Sequence, residues 1–148
     1  MRVLVVNGPN LNLLGVRRPE VYGTVTLEEL EERCRAWGAA LGIEVETFRS
    51  NHEGAIIDRL HDALGRCDGV VLNPGALTHY SYALHDAVEA IALPVVEVHL
   101  SDIHAREEWR SRSVVSPACA ATITGHGPDG YREALEWLAG QKGQAAPR

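Results

Sequence analysis

The sequence predicts an α/β fold, a five-stranded parallel sheet with helices on both faces. Short β-branched runs alternate along the chain with longer segments of helical character. This pattern is typical of βαβ units, whose strands run parallel. The length of 148 residues suits one domain with a single sizeable core. At this length, the expected architecture is a flavodoxin-like doubly wound sheet.

Each element is predicted from its local pattern. Strands are assigned to short apolar or alternating runs, and helices to the longer stretches between them. Thr26 with Glu29, and Ser50 with Glu53, have the spacing of capping boxes at the first two helices. In chain order, the predicted elements are a strand at 3–7, a helix at 26–41, a strand at 43–48, a helix at 53–65, a strand at 69–73, a helix at 78–91, a strand at 94–99, a short helix at 104–110, a strand at 120–125 and a helix at 130–138.

Composition limits the class of protein. The chain is 45 % hydrophobic and 23 % charged, which is ordinary for a globular protein. We expect one domain over residues 1–140 and a polar tail over 141–148 that frays. The net charge of -6 disfavours a nucleic-acid partner, because no basic footprint can neutralise phosphates. No apolar run is long enough to span a bilayer, and Met1 leads straight into an apolar run, so we expect neither a membrane segment nor a signal peptide.

The cysteine pattern indicates reduced thiols. Cys34, Cys67 and Cys119 are far apart in the sequence and odd in number. This is neither a disulfide framework nor a thiolate metal site. We therefore expect three small, buried, reduced side chains in a cytoplasmic protein.

Polar residues cluster where the predicted strands end. In open α/β sheets, ligands bind beyond the carboxyl ends of the strands. One such cluster would be ordinary turn chemistry, but four at the same edge predict a binding site. The clusters are Asn7, Asn10, Asn12, Arg17 and Tyr22 after strand one, Arg49, Ser50 and Asn51 after strand two, Asn73 and His79 after strand three, and His99, Ser101 and Asp102 after strand four.

The fourth strand, PVVEVH, carries a carboxylate and an imidazole on one face. Period-two alternation places Glu97 and His99 together, opposite Val96 and Val98. A buried parallel strand is normally apolar on both faces, so this pair must be bonded. Two interpretations fit equally: a histidine oriented and kept basic by Glu97 as a proton donor, or a satisfied buried ion pair.

The segment after the first strand, NGPNLNLLGVRRPEVYG, is too long for a turn and carries two arginines and a tyrosine. A phenol has a pKa of about 10, and lowering it to near 7 corresponds to about 4 kcal/mol. Arg17 or Arg18 could supply much of that if the segment closes as a lid over a substrate and brings Tyr22 as a base. The alternative is that both arginines are solvated and Tyr22 packs as a surface aromatic.

Four long motifs resemble those of type II 3-dehydroquinate dehydratases. They are the segment NGPNLNLLGVRRPEVYG at 7–23, SNHEG at 50–54, NPGALTHYSYALHDA at 73–87 and EVHLSDIHAREEWRSRS at 97–113. The match runs in order from about residue 3 to residue 138. The resemblance implies a flavodoxin-like fold and a single catalytic domain with no metal or organic cofactor. It also implies removal of water from 3-dehydroquinate to give 3-dehydroshikimate, through an enolate and with anti stereochemistry.

The resemblance also implies residue roles for the chemical steps. Tyr22 would take the proton from C2, and Arg17 would lower the pKa of Tyr22 and stabilise the transition state. Asn10 would hold a water that bonds the enolate oxygen. His99, oriented by Glu97, would protonate the departing C1 hydroxyl.

Further residues would bind the substrate. The substrate carboxylate would lie on Asn73 and on the backbone N–H groups of Leu100 and Ser101. His79 and Arg110 would hold the ring hydroxyls.

The family's assembly and pathway complete what the resemblance implies. Its members form trimers that group into a homododecamer, and Asp86 would reach the site of a neighbouring subunit. The reaction belongs to the shikimate pathway. Aromatic amino acid biosynthesis and quinate breakdown both fit it.

Positions 18 and 49 are two of five that depart from the family pattern, the others being Tyr80, His85 and His126. Position 18 is usually acidic and is Arg18 here, and position 49 is usually glutamine and is Arg49 here. Neither removes a catalytic position. They bear on lid mobility and substrate affinity rather than on the reaction.

Two other classes of function each fit part of the sequence. His99, Asp102 and His104 form an HxxDxH pattern that could indicate a metal-dependent hydrolase, but metal ligands must converge at about 2.0–2.2 Å and the spacing matches no zinc motif. A nucleotide- or flavin-binding module would use the first strand-to-helix loop, where Arg17 and Arg18 could meet a phosphate. That loop is neither a P-loop nor a GxGxxG motif.

Overall fold

The computed structural model describes residues 1–16 and 18–141, and the side chain of Tyr22 lies outside this description. The strands are β1 (Arg2–Asn7), β2 (Glu44–Arg49), β3 (Gly69–Asn73), β4 (Val95–His99) and β5 (Ala121–Thr124). The α-helices are the single turn α1 (Pro19–Tyr22), α2 (Leu27–Ala40), α3 (Glu53–Asp62), α4 (Tyr82–Ile91) and α5 (Asp129–Gln141). Short 3-10 turns occupy Leu11–Leu13, Gly75–His79, Ile103–Ala105, Glu108–Arg110 and Ser116–Ala118.

The five strands form one sheet in the order β2-β1-β3-β4-β5. Every pair of neighbouring strands is parallel. This is the flavodoxin-like doubly wound order, in which the winding reverses between β1 and β3. The predicted fold class is confirmed, and the carboxyl ends of β1, β3 and β4 meet at one edge of the sheet.

Two apolar layers cover the sheet. On one face, Val96 and Val98 of β4 pack with residues of α2 and α5, among them Leu30 and Leu135. On the other face, Val95 packs with residues of α3 and α4. A strand buried on both faces is expected in a parallel sheet covered by helices. Glu97 and His99 lie on the face opposite Val96 and Val98, as the alternation predicts.

The strands lie within two residues of their predicted bounds, but two helical predictions are wrong. The predicted helix over 78–91 is a 3-10 turn, Gly75–His79, followed by α4. The break occurs because Ser81 caps α4, its Oγ accepting the Leu84 N–H at 3.0 Å. The predicted helix over 104–110 is two separate 3-10 turns, Ile103–Ala105 and Glu108–Arg110.

One predicted capping box forms in part and the other does not. Thr26 caps α2 by accepting the Glu29 N–H at 3.2 Å. At α3 the N-cap is His52, and Ser50 Oγ accepts the N–H of His52 instead. The carboxylate of Glu53 accepts the hydroxyl of Ser81 at 2.5 Å. A tertiary contact has therefore replaced the local one that the spacing predicted.

The last helix continues three residues beyond its predicted end, to Gln141. The tail predicted over 141–148 is wrong at its first residue, because Gln141 is helical. Its other residues, 142–148, lie outside the described part of the chain. None of the helices within the described ranges is both long and apolar enough to cross a membrane.

Candidate active site

A pocket of about 170 Å³ lies at the carboxyl ends of the central strands. It sits at the reversal between β1 and β3, where ligands bind in doubly wound sheets. Three of the four predicted polar clusters contribute to it. Its lining is Pro9, Asn10 and Leu11 after β1, Asn73, Gly75, Ala76 and His79 from the end of β3 onwards, and His99, Leu100, Ser101, Ile103, Arg106 and Arg110 from the end of β4 onwards.

The loops that follow β1 and β3 are in direct backbone contact at this edge of the sheet. The N–H of Gly8 donates to the carbonyl of Asn73 at 2.8 Å. A Cβ at Gly8 would lie 2.6 Å from the Pro74 carbonyl oxygen, and one at Gly75 would lie 2.9 Å from that of Pro9. Gly75 also has φ of +61°, which disfavours other residues. The two glycines therefore allow Asn10 and Asn73 to line one pocket.

Buried hydrogen bonds fix the orientation of Asn73. Its Oδ1 accepts the N–H of Gly75 at 3.1 Å, and its Nδ2 donates to the hydroxyl of Tyr131 at 2.9 Å. Tyr131, fully buried on α5, donates in turn to Asn7 Oδ1 at 2.6 Å. Burial raises the pKa of Tyr131, so this hydroxyl keeps its proton. One amide hydrogen of Asn73 is left for a ligand.

Glu97 and His99 form a buried hydrogen-bonded pair on β4. The Glu97 side chain is 0 % exposed and His99 is 6 % exposed. Glu97 Oε2 contacts Nε2 of His99. His99 lines the pocket and Glu97 does not, so a ligand in the pocket would meet the imidazole rather than the carboxylate.

The pKa of Glu97 is lowered overall by two opposing causes. Burial raises it, and the hydrogen bond and the positive charge of His99, with hydrogen bonds from Thr78 and Ser116, lower it by more. The pair therefore keeps Glu97 as a carboxylate. A carboxylate favours a protonated imidazole beside it, which is the form that can donate a proton.

His79 and Arg110 are held at the pocket wall by Trp109 and their own polar partners. The ring of His79 meets Trp109 edge-on at 5.4 Å, and the guanidinium carbon of Arg110 lies 3.9 Å from the centre of the same ring. Arg110 Nε donates to Glu107 at 2.7 Å. His79 Nδ1 lies 2.7 Å from the Arg112 carbonyl.

That last contact determines the tautomer of His79. A carbonyl only accepts, so Nδ1 carries the hydrogen and Nε2 is left as an acceptor when the ring is neutral. Burial is the main cause that lowers the pKa of His79, and the charges of His99 and Arg110 add to it. A neutral His79 can accept from a substrate hydroxyl.

The cluster after β2 supports the site without lining it. The Oδ1 of Asn51 accepts the N–H of Asn10 at 2.9 Å, and Asn10 adopts φ of +70°. Arg49 is held by two carboxylates of α2, Glu28 at 2.7 Å and Glu31 at 2.6 Å. The guanidinium of Arg49 is therefore bound to α2, and the expectation that all four clusters face the pocket is wrong for this one.

The predicted base and its activator belong to the segment that follows β1. Arg17 and the side chain of Tyr22 lie outside the described residues. The backbone of Tyr22 ends the single turn α1. Arg18 is half exposed and lies 3.4 Å from Glu20. Asp86 is exposed on α4 and does not line this chain's pocket.

Arg106 lines the pocket and was not assigned a role from the sequence. The sequence does contain one indication of a role for Arg106. It is a cation that lies seven residues after the end of β4, the strand that carries the Glu97–His99 pair. With Arg110 it gives the pocket two guanidinium groups in a chain of net charge -6. Such a local excess of positive charge favours an anionic ligand.

The arrangement suits acid chemistry on a small polar anion. It combines an imidazole backed by a buried carboxylate, an oriented amide and two guanidinium groups. No group of three or more His, Cys, Asp or Glu side chains in the described part of the chain is placed to hold a metal ion. The HxxDxH pattern therefore does not assemble as a ligand set there.

The three cysteines are unpaired with one another, and two of them are buried as expected. Cys34 and Cys67 are buried, whereas Cys119 is only partly buried. Burial raises the pKa of Cys34 and of Cys119 to about 12. At neutral pH these groups are thiols rather than reactive thiolates.

Comparison with known proteins gives the family. The model of the family "Dehydroquinase class II" matches residues 1–139. A 3-dehydroquinate dehydratase of Thermus thermophilus is 58% identical over 140 residues, covering 93% of each chain. One of Bacillus licheniformis is 56% identical over 136 residues, covering 92% of this chain and 94% of the other. The type II dehydroquinase structure from Butyrivibrio crossotus superposes with a TM-score of 0.92 at 46% identity, covering 93% of this chain and 97% of the other. The chain belongs to the class II dehydroquinase family.

Proposed function

We propose that the protein is a type II 3-dehydroquinate dehydratase, a hydro-lyase that removes water from 3-dehydroquinate to give 3-dehydroshikimate. The observation that carries the proposal is the pocket in which His99, backed by buried Glu97, faces Asn73, His79 and Arg110. Its relatives named 3-dehydroquinate dehydratase match it over nearly their whole length. We place this reaction in the shikimate pathway.

The substrate is a carboxylate that carries several hydroxyls and a ketone. Its carboxylate is bound by the free amide hydrogen of Asn73 and by the backbone N–H groups of Leu100 and Ser101. All three residues line the pocket. Neutral His79 accepts from one ring hydroxyl, and Arg110 donates to another.

The acid side of the reaction belongs to His99. Its imidazolium gives a proton to the C1 hydroxyl as the C1–O bond breaks, and the hydroxyl leaves as water. The electron pair of the enolate reforms the C3 carbonyl and makes the C1–C2 double bond. Glu97 stays a carboxylate throughout and holds the ring in place. General acid catalysis of this kind contributes about 10²- to 10⁴-fold.

We assign the removal of the C2 proton to the segment after β1. A proton beside a ketone is weakly acidic, so its removal needs a positioned base and a stabilised enolate oxygen. We assign Tyr22 as that base, with Arg17 lowering its pKa, and Asn10 as the holder of a water at the enolate oxygen. Asn10 lines the pocket, which supports its part of the assignment.

The oligomeric state is proposed from the resemblance to type II 3-dehydroquinate dehydratases. We propose self-association as trimers grouped into a homododecamer. Asp86, exposed on α4 and absent from its own pocket lining, is free to act in the site of a neighbouring subunit.

A direct turnover assay tests the proposal. Purified protein mixed with 3-dehydroquinate should give rising near-ultraviolet absorbance from the conjugated enone product. We expect the same rate with and without EDTA, and a loss of about 10²- to 10⁴-fold in His99→Gln. A well-folded wild-type protein that gives no enone contradicts the proposed function.

A further inference from the structure

The carboxylate of Glu97 is surrounded by hydroxyl donors from two segments outside its own strand. Thr78 Oγ1 donates to Oε2 at 2.5 Å, and Ser116 Oγ donates to Oε1 at 2.7 Å. Ser113 Oγ lies 3.1 and 3.0 Å from the two oxygens. With the ring N–H of His99, the carboxylate has four donors. Four donors approach the full acceptor capacity of a carboxylate.

The direction of each hydroxyl hydrogen in this cluster follows from the donors and acceptors around it. Both lone pairs of Ser113 Oγ accept backbone N–H groups, from Val115 at 3.2 Å and Ser116 at 2.9 Å. Its one hydrogen therefore points at Glu97 and at Thr78 Oγ1, which is 2.8 Å away. The hydroxyl of Ser113 cannot turn round to accept from Glu97.

The hydroxyl of Ser116 is constrained in the same direction. Its oxygen accepts from Thr122 Oγ1 at 3.3 Å, which leaves its hydrogen for Glu97. Four hydrogens already point at the carboxylate. If Glu97 were protonated, its own O–H would be a fifth donor in the cluster, with few acceptors left to receive that hydrogen. The cluster therefore favours the charged form of Glu97, since hydrogen bonds to the charged form lower the pKa of a carboxyl.

The charged groups near the pair do not replace this effect. The lowered pKa of His79 leaves its ring neutral near pH 7, and Arg106 and Arg110 line the pocket, as His99 does and Glu97 does not. Burial is the main cause that raises the pKa of Cys119, and Glu97 adds to the rise, so that thiol stays neutral. Within the described residues, His79 and Cys119 interact electrostatically with the pair, and Arg106 and Arg110 line the same pocket as His99.

We propose that Thr78, Ser113 and Ser116 are positioning residues that keep the proton of the Glu97–His99 pair on the histidine. The inference rests on the proposed function, in which that proton ends on the leaving hydroxyl. Nε2 of His99 keeps its N–H to Glu97, and the other ring nitrogen loses its proton to the departing oxygen. The imidazolium becomes neutral, water leaves, and Glu97 is a carboxylate before and after.

The experiment removes the hydroxyls of Thr78 and Ser116 and leaves Ser113 in place, because Ser113 also accepts backbone N–H groups of its own loop. Thr78→Val and Ser116→Ala, singly and together, delete donors to each carboxylate oxygen. Thr78→Ser restores a hydroxyl at the same place. Ser111→Ala is the matched control, because Ser111 donates to the Glu108 carbonyl in the same loop and does not touch Glu97.

Two readouts are taken for each variant. One is the pH dependence of kcat/KM with 3-dehydroquinate, in which protonation of the base gives the first break on the acidic side and protonation of Glu97 gives a second break at lower pH. The second break is the titration followed here. The other is the infrared carboxyl band of Glu97 followed against pH in the protein without substrate, assigned by its loss in Glu97→Gln. The infrared titration does not depend on turnover.

We expect both titrations to move to higher pH by about half a unit to one unit for each hydroxyl lost. Thr78→Ser and Ser111→Ala should stay at the wild-type position. Activity that falls equally at every pH, with an unmoved infrared titration, would overturn the inference and leave the hydroxyls a packing role. If the wild type gives no enone, the proposed function fails while the infrared titration still decides the inference.

Discussion

At the scale of the residue, the buried pair of Glu97 and His99 on β4 depends on partners that are distant in the sequence. Period-two alternation places the two side chains on one face of the strand. The donors around Glu97 come from positions 16 to 19 residues away in the sequence. Their approach depends on how the turns after β3 and β4 pack, which no local pattern specifies.

Arg49 shows how a tertiary contact changes the meaning of a substitution. At the sequence level, a cation after β2 bears on substrate affinity. In the structure, Glu28 and Glu31 of α2 hold its guanidinium, and these two acceptors raise the pKa of Arg49. The charge is therefore used to attach β2 to α2.

The assignment of the base can be tested by comparing neighbouring arginines. Tyr22→Phe should lower kcat by about 10²-fold or more, because the phenol oxygen that takes the proton is gone. Arg17→Ala should cost far more rate than Arg18→Ala, since Arg18 is half exposed and near Glu20. Steady-state kinetics with 3-dehydroquinate measures all three. Equal losses in the two arginine variants would show that the activator is wrongly assigned.

At the scale of the element, strands were easier to predict than turns and caps. The five strands are short apolar or alternating runs whose identity depends on their own residues. The segment 74–81 contains a capping serine, yet its apolar residues continue the pattern of the helix that follows. Ser81 ends that continuity, and the separate turn Gly75–His79 brings Thr78 to Glu97 and His79 to the pocket.

The cap at Ser81 has a measurable energetic consequence. Ser81→Ala removes the acceptor for the Leu84 N–H and the donor to Glu53. We expect a loss of about 1–2 kcal/mol in the free energy of unfolding, seen as a Tm several degrees lower at fixed protein concentration. Ser81→Thr keeps a capping hydroxyl and should retain most of the stability. An alanine variant as stable as the threonine variant would contradict this role.

At the scale of the whole molecule, the strand order creates the site. The alternation of strands and helices predicts a parallel sheet, and a doubly wound sheet predicts a crevice at the reversal of winding. The structure places the ends of β1, β3 and β4 around that crevice, and β2, at the sheet edge, contributes through Asn51. Sequence alone could not separate β2 from the others, because that needs the strand order. Arg106 was missed because its distance from the pocket depends on the turns between β4 and β5.

The central claim is an elimination that uses an acid and a base on opposite faces of the substrate ring, with His99 as the acid. The most direct measurement uses 3-dehydroquinate carrying deuterium at C2 on the side opposite the C1 hydroxyl. After turnover by the wild-type protein, mass spectrometry of the 3-dehydroshikimate reports whether the label remains. Anti elimination predicts a product without the deuterium. A product that keeps it would show that both groups leave from the same face, and would contradict the account.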